Sequence, residues 1–395
     1  MASKASNLNM REISMKDFKN LIKTMIEFEQ FSPILCLGKS GIGKTESIIQ
    51  VAKEMGIGYK ELRLINYTET DLIGIPTIEK TDGGTLVTRW AQMGRLPVAD
   101  QDGEVGILVL DEVCSATRTV RAAAYQLMDS SRSVGDYKLP DKWLIVALGN
   151  GPEDGGVFEG LEAAFLSRAK CMRVDPNLDS WMNWALQAGV NPAVTGFISF
   201  QPQSLWDLDL ESEYGAEVYP CPRSWKSLSD LLNKAEAKRG GMLDNNSVLM
   251  YSSICVGEKT GLSFAAFYQY MDKTVSVDEI LNGTADANVR NVDRQVVYLQ
   301  IQTVIGAVTE VLKTTKKGND WTEEGYKKVA NAVRWAIKVA ESVMDIGVTI
   351  LSELGKNVPD FVSMVITNGD TFDEMCPEFM EFASSHSIAF ARTDS

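Results

Sequence analysis

Histidine is almost absent from the sequence, whose 395 residues include only His386, near the end. Triads that use a histidine base and metal sites with several imidazole ligands are therefore excluded by number. The cysteines at 36, 114, 171, 221, 255 and 376 lie far apart, and no two form a C-x-x-C pair. We expect neither a zinc site nor a redox motif, but reduced, buried thiols.

Positive charge is also scarce, with 39 basic residues against 53 acidic ones and a net charge of −14. Nucleic-acid binding needs clustered basic side chains at the phosphates, so general DNA or RNA binding is disfavoured. No apolar run approaches the roughly 18 residues of a membrane span, and no secretion signal follows the early lysine. We therefore expect a cytoplasmic protein that uses neither a membrane nor nucleic acid as its partner.

Short apolar runs alternate with amphipathic helical segments between residues 33 and 175. The runs are 33–37, 61–65, 105–110, 143–148 and 171–174. Apolar strands separated by helices indicate a parallel sheet that is covered on both faces. Two insertions, 74–97 and 132–142, interrupt the alternation. The first, with Gly83-Gly84 at its centre, predicts a hairpin or a short excursion, and the second predicts a hairpin that turns near Gly135-Asp136.

Helical patterns dominate after residue 176. Residues 222–239 predict a helix with a proline at its start and basic residues at its end. Farther on, apolar residues at three- and four-residue spacing predict one long helix, whose stripe packs in a core or contacts another subunit, the core being favoured. The stripe consists of Val329, Val333, Ile337, Ala340, Met344, Gly347 and Leu351.

The strongest motif is GKSGIGKT, residues 38–45, which fits the P-loop pattern G-x-x-x-x-G-K-[ST] between a predicted strand and a predicted helix. Its glycines let backbone N–H groups turn toward phosphate oxygens, and the helix N-terminus adds positive potential. Lys44 is expected to reach the β- and γ-phosphates, and the Thr45 hydroxyl to bind Mg²⁺. The predicted nucleotide-binding residues are Gly38, Ser40, Gly41, Ile42, Gly43, Lys44, Thr45 and Glu46.

A second motif, GILVLDEV (106–113), delivers two carboxylates at the end of an apolar strand. Ligands bind at this end of the strands in open α/β sheets. Asp111 is suited to hold Mg²⁺, and Glu112 is suited to polarise an attacking water as general base. In a third motif, ALGN (147–150), Asn150 ends the next predicted strand and could orient that water or contact the γ-phosphate.

These three motifs, in this order and with both insertions, resemble the AAA+ superfamily. The phrases TETDLIGIPTI (68–78) and LPDKWLIVALGNGPEDGG (139–156) resemble its MoxR-like branch, in the helix-2-insert clade. The resemblance covers roughly residues 30–235. It implies an α/β AAA+ P-loop core with a parallel five-stranded sheet, followed by a helical lid and a helical C-terminal region. The predicted parts are an N-terminal helix (1–30), the core (31–178), the lid (179–258) and the C-terminal region (259–395).

The resemblance also implies roles for individual residues. Asn150 corresponds to the sensor-1 residue. Arg168 corresponds to an arginine finger, which stabilises transition-state charge in the neighbouring subunit's site, and Arg132 is a second candidate for that contact. Arg223 corresponds to the sensor-2 arginine, which contacts the γ-phosphate within its own subunit.

As a function, the resemblance implies ATP hydrolysis to ADP with Mg²⁺ by a homo-oligomer, usually a hexamer. Such rings remodel client proteins like chaperones, often beside a partner with a von Willebrand factor A domain, and the insertions would face the pore or the upper surface. One alternative is a nucleic-acid motor, McrB-type or helicase-like, against which the acidic total argues. Another is a scaffold that binds nucleotide without turnover, which would have no need for Lys44, Glu112, Asn150 and Arg168 all together.

Overall fold

The computed structural model describes residues 10–91, 94–151, 161, 163–208, 218–287 and 293–386. The chain divides into two units, Met1–Asn177 and Leu178–Ser395. In chain order, the first unit contains β1 (Arg11–Ile13), α1 (Met15–Glu27), β2 (Ile34–Gly38), α2 (Lys44–Met55), β3 (Gly58–Arg63), α3 (Glu69–Ile73), β4 (Ile75–Lys80), β5 (Leu86–Ala91), α4 (Ala99–Asp102), β6 (Val105–Asp111), α5 (Arg118–Met128), β7 (Ser133–Val134), β8 (Tyr137–Lys138), β9 (Lys142–Gly149), α6 (Ala163–Leu166) and β10 (Lys170–Val174).

The main sheet of the first unit is parallel throughout, with the strand order β1-β10-β2-β9-β6-β3. The predicted α/β fold class with a parallel sheet is confirmed, but the prediction of five strands was wrong, because the sheet has six in the described part of the chain. The additional strand, β1, pairs Arg11–Ile13 with Met172–Val174 at one edge. Arg11 and Glu12 are exposed and Ile13 is half-buried, so this strand lacks the apolar run that marks a buried strand.

The opposite edge strand, β3, begins earlier than the predicted run 61–65. It spans Gly58–Arg63, and residues 64–66 form a 3-10 turn instead. An edge strand tolerates polar residues, so the apolar run at 61–65 does not coincide with the bounds of β3.

Consecutive residues of the central strands face opposite sides of the sheet, and each side has its own core. On one side, Cys36 packs in a cluster with Phe18 of α1 and Ile48 of α2. On the other side, Leu35 packs in a cluster with Leu127 of α5. Helices therefore cover both faces, as the continuous apolar runs predict.

Local signals placed several of these elements correctly. The Ser14 side chain accepts a hydrogen bond from the backbone N–H of Asp17 and caps α1. Strands β4 and β5 form the first predicted hairpin, and β7 and β8 form the second, with Gly135 in its turn at φ +56°. Residues 92 and 93 of the first insertion lie outside the described residues.

All six cysteines are free, and four of them are buried, as expected of apolar packing residues. Burial raises the pKa of Cys36 to about 12, so its thiol stays protonated at neutral pH. This cysteine therefore packs as a small apolar side chain of the central strand β2.

The second unit is helical. It contains α7 (Leu178–Gln187), α8 (Pro192–Phe200), α9 (Pro222–Arg239), α10 (Asn245–Val256), α11 (Glu258–Tyr268), α12 (Val277–Asn282), α13 (Arg294–Thr315), β11 (Lys316–Lys317), β12 (Asp320–Trp321), α14 (Glu323–Ser342), α15 (Met344–Asn357), α16 (Pro359–Val362), α17 (Gly369–Met375) and α18 (Glu378–Ser385). A π-helical turn covers Ser363–Thr367, between α16 and α17. The predicted helix at 222–239 is confirmed as α9, with Pro222 in its first turn and Gly240 as its left-handed cap.

The prediction of one long helix through the stripe 329–351 was wrong. The helix breaks at Val343, which has φ −142° and ψ 89°, and α15 packs against α14. Gly347 makes the close approach possible, because a Cβ there would lie 2.3 Å from the carbonyl oxygen of Ala336. The stripe is buried between the helices except at Met344, so it serves mainly as core.

Helix α13 is 22 residues long and, by length and composition alone, could span a membrane. It is the only such helix in the described part of the chain, and 61% of its most apolar window is buried. Leu299 on this helix packs in one core of the second unit, and Ile305 packs in the other. Its apolar character is thus accounted for by packing within the unit.

Candidate functional site

The residues of all three motifs meet at one edge of the sheet. Because the strands are parallel, their carboxyl ends lie along the same edge. Strand β2 ends at Gly38, where the P-loop begins, β6 ends at Asp111, and β9 ends just before Asn150. The strand order places β9 between β2 and β6. The three motifs are therefore neighbours in space although more than 100 residues of sequence separate the first from the last.

The glycines of the P-loop are required by backbone geometry. A Cβ at Gly38 would lie 2.1 Å from the carbonyl oxygen of Val174 in the adjacent strand, so only glycine fits. Gly41 and Gly43 have φ of +74° and +94°, which side chains other than glycine rarely adopt. Gly43 caps the N-terminus of α2, a helix of 12 residues. The loop therefore turns backbone N–H groups and the positive helix end toward one place.

Lys44 is held at this place by oxygen atoms of the surrounding loops. Its Nζ donates to the carbonyl oxygens of Gly38 at 2.7 Å and Lys39 at 2.9 Å, and to Oδ1 of Asn150 at 2.9 Å. The side chain is only 8% exposed. These three acceptors orient the ammonium group within the P-loop. The contact with Asn150 joins the first motif directly to the third.

The second motif is joined to the first by a hydrogen bond. The Thr45 hydroxyl donates to Oδ2 of Asp111 at 3.1 Å. The other oxygen of Asp111, Oδ1, accepts the backbone N–H of Glu112 at 2.8 Å. Hydroxyl and carboxylate oxygens are the ligands that Mg²⁺ prefers, and Mg²⁺ at a phosphate site is commonly held by one or two such groups. Thr45 and Asp111 therefore fit a magnesium ion beside a bound phosphate.

Glu112 has an unusual backbone conformation, with φ +59°. A left-handed conformation is uncommon for glutamate and persists only where the surrounding structure enforces it. Here the carbonyl oxygen of Glu112 accepts the N–H groups of Ser115 at 3.1 Å and Ala116 at 3.2 Å. The turn thus ends β6 abruptly and leaves the Glu112 carboxylate partly exposed next to Asp111.

The structure also brings Arg63 and Glu61 to this edge, which the sequence did not predict. Arg63 ends β3, and its Nε lies 3.8 Å from Oε1 of Glu112. Its Nη2 lies 3.4 Å from Oε1 of Glu61, on the same face of the strand. Tyr59 donates to the other Glu61 oxygen at 2.9 Å, and burial followed by the Glu61 contact raises the pKa of this tyrosine. No sequence signal points to Arg63, because the adjacency of β3 and β6 is a property of strand order.

The two insertions contact each other. Oδ2 of Asp136, in the second hairpin, accepts the backbone N–H of Trp90, in the first hairpin, at 2.9 Å. Directly opposed residues share a face of a two-stranded sheet, so Pro76, Ile78, Trp90 and Leu86 line one side of the β4–β5 hairpin. Ile78 and Leu86 are 77% and 68% exposed. The first hairpin therefore presents an apolar face that is unpacked in this structure.

The predicted arginines lie in different surroundings. Arg132 is enclosed by backbone, since its guanidinium donates to the carbonyl oxygens of Phe31 at 3.0 Å, of Pro140 at 3.1 Å, and of Trp143. Burial lowers the pKa of Arg132. These contacts tie the start of the second hairpin to the sheet, so Arg132 has a structural role. Arg223 lies exposed in the first turn of α9, and its sensor-2 role stays a prediction.

Arg168 lies away from the P-loop of its own chain. It precedes β10, whose first residue, Lys170, pairs with Ile34 at the start of β2, whereas the P-loop follows the end of β2. The rise along β2 separates the start of this strand from its end by about 13 Å. Nε of Arg168 donates to Oδ1 of Asp129 at 2.5 Å in an ion pair that is partly exposed. A phosphate in this chain's P-loop is therefore beyond the reach of Arg168.

Comparison with known proteins finds similarity to solved structures only. No family model and no curated protein matches the sequence. A closed-state cryo-EM reconstruction of Hsp104 with ATPγS and FITC-casein is 19% identical, with a TM-score of 0.33 over 45% of this chain and 36% of that chain. A crystal structure of a protein described as a candidate ATPase, from Cytophaga hutchinsonii, is 13% identical, with a TM-score of 0.32 over 94% of this chain and 81% of that one. The matched region spans about a third of the Hsp104 chain.

Proposed function

We propose that the protein is an AAA+ ATPase of MoxR type, which hydrolyses ATP as one subunit of a homo-oligomeric, six-membered ring in the cytoplasm. The observation that carries the proposal is the convergence of three motifs at one sheet edge. Lys44 contacts Asn150, and Thr45 contacts Asp111, which lies beside Glu112. A phosphate cradle, two oxygen ligands for a cation and a potential base are the groups needed for hydrolysis of a nucleoside triphosphate.

Each of these residues has a distinct part in hydrolysis. The P-loop N–H groups and Lys44 bind the phosphates, and the present contacts of Lys44 show that its ammonium already points into the loop. Mg²⁺, held by Thr45 and Asp111, would neutralise charge on the phosphate oxygens. The Glu112 carboxylate accepts a proton from the attacking water, and the Asn150 amide orients that water or the γ-phosphate.

The position of Arg168 supports a ring. Arg168 lies near the start of β2, whereas its own P-loop follows the end of that strand. Any phosphate contact by Arg168 therefore has to be made in another copy of the chain. A site that is completed by the neighbouring subunit links catalysis to assembly. Arg168 is preferred over Arg132 for this contact, since Arg132 is occupied by three backbone carbonyl oxygens.

The β4–β5 hairpin supports a client protein over a nucleic acid. Ile78 and Leu86 on its apolar face suit burial against another protein, and Lys80 is the basic residue that shares this face. A nucleic-acid motor needs a basic surface at the strand it moves along, whereas this chain carries a net charge of −14. ATP-driven movement of the second unit would transmit strain to the bound client.

The proposal is tested first by particle mass. Glu112→Gln protein, which is expected to hold ATP without hydrolysing it, is measured by light scattering with and without Mg²⁺ and ATP. We expect a closed oligomer with ATP, most simply of six subunits. A monomer under both conditions would rule out the shared site. Stimulation of wild-type turnover by DNA or RNA, with no effect of unfolded protein, would favour the nucleic-acid motor instead.

Arg168→Ala is expected to bind ATP with normal affinity and to lose about 10³-fold in turnover, the effect typical of an arginine finger. A mixture of Arg168→Ala and Glu112→Gln subunits is expected to regain part of the activity. In mixed rings, an intact Glu112 site lies next to a neighbour with an intact Arg168. Steady-state phosphate release across mixing ratios measures the effect, and the absence of any recovery would contradict a role of Arg168 in trans.

A further inference from the structure

Asp129 has no role in the predicted site, yet it holds the side chain of Arg168. It is the C-cap residue of α5, and its Oδ1 accepts Nε of Arg168 at 2.5 Å. The two side chains are 43% and 33% exposed, so the pair is close to a surface that another copy could reach. A bond at Nε fixes the plane of a guanidinium group, which matters for an arginine that has to meet phosphate oxygens at defined angles.

Aromatic packing reinforces the same junction. Tyr125, one turn before Asp129 on α5, packs its ring 4.8 Å from that of Phe165 on α6. Phe165 is fully buried, and the backbone N–H of Arg168 donates to its carbonyl oxygen at 3.1 Å. The segment that carries Arg168 is thus attached to the last turn of α5 by this ring packing and by the ion pair between Asp129 and Arg168.

Helix α5 connects this junction to the carboxyl ends of the strands, where the three motifs meet. It begins at the Thr117 cap, five residues after Glu112, and its 11 residues span about 16 Å. Ala116 donates its N–H to the carbonyl oxygen of Glu112 and accepts a bond from Nη1 of the buried Arg121 on α5. One end of the helix is therefore attached to the Glu112 turn, and the other end is attached to Arg168.

We propose that Asp129 is the positioning residue of Arg168: it holds the guanidinium group in the orientation in which it enters the neighbouring subunit's site. This inference rests on the proposed function of Arg168 in trans. Because the start of α5 is bonded to the Glu112 turn through Ala116, Asp129 attaches the arginine to the helix that also contacts the subunit's own site.

The test compares Asp129→Ala and Asp129→Asn with Arg168→Ala in ATPase assays. Asp129→Ala is expected to lower kcat about 10-fold with KM changed less than about 2-fold, since misplacement of a catalytic group costs rate rather than substrate binding. Asp129→Asn keeps an oxygen acceptor for Nε and is expected to recover most of the rate. The double variant Asp129→Ala/Arg168→Ala is expected to be no slower than Arg168→Ala, because both changes remove one function.

Mixed rings separate positioning from a folding defect. Asp129→Ala mixed with Glu112→Gln is expected to regain activity, since each Asp129→Ala site then receives Arg168 from an intact neighbour. Glu54→Gln, which removes an exposed carboxylate that pairs with Lys19 and Lys23 on α1, is the matched control and is expected to keep wild-type kcat. Thermal unfolding of every variant monitors the fold.

The outcomes distinguish this inference from the function on which it rests. If Arg168→Ala mixtures recover activity and Asp129→Ala mixtures do not, Asp129 serves folding and the positioning role is overturned. Wild-type kcat in Asp129→Ala, or an equal further loss in the double variant, overturns it as well. If Arg168→Ala itself turns over normally, the arginine finger is wrong, and the failure lies in the proposed function and not in Asp129.

Discussion

Glu112→Gln is expected to lower ATP turnover by about 100-fold or more while ATP binding remains intact. The amide has nearly the same size and polarity as the carboxylate, but it cannot accept a proton from the attacking water. Lys44, Thr45 and Asp111, which hold the phosphates and the cation, are unchanged by this substitution. The expected result is a protein that binds ATP tightly and releases phosphate very slowly.

Single-turnover phosphate release and titration with a fluorescent ATP analogue measure these two properties separately. Glu104→Gln is the matched control, because it makes the same substitution at an exposed residue just before β6, whereas Glu112 follows the end of that strand. The control is expected to keep wild-type turnover. Normal turnover in Glu112→Gln would remove Glu112 from the role of general base and shift attention to another acceptor at this edge.

Lys44→Ala is expected to weaken ATP binding by about 100-fold, because charge-assisted hydrogen bonds to phosphate are among the strongest that a side chain makes. The ammonium group is the buried positive charge of the P-loop, and it already lies among the loop carbonyls. Its removal leaves the carbonyl oxygens of Gly38 and Lys39 without this donor, so a small loss of thermal stability is also expected.

Calorimetric titration of Lys44→Ala with ATP and Mg²⁺ measures this effect. Lys53→Ala, in the last turn of the same helix and exposed, is the control and is expected to bind ATP normally. A thermal unfolding curve of each variant shows whether the fold is retained. Wild-type affinity in a folded Lys44→Ala protein would contradict the assignment of residues 38–45 as a phosphate site.

Local sequence signals identified much of the molecule correctly because they depend on neighbouring residues. The P-loop glycines, the hairpin turn at Gly135 and the bounds of α9 each follow from a few adjacent positions. The periodic stripe at 329–351 was less informative. Helical spacing of apolar residues continues across the break at Val343, since two packed helices can share one core.

The sequence by itself determined that this chain has a phosphate-binding loop, two acidic residues at the end of an apolar strand and an amide at the end of the next predicted strand. These follow from motifs whose geometry is local, such as the positive φ of Gly43. Only the tertiary structure decided that Arg63 lies beside Glu112, that Arg132 is occupied by backbone carbonyls, and that Asp129 holds Arg168. These contacts depend on which strands and helices become neighbours, and that order is set by packing of the whole sheet.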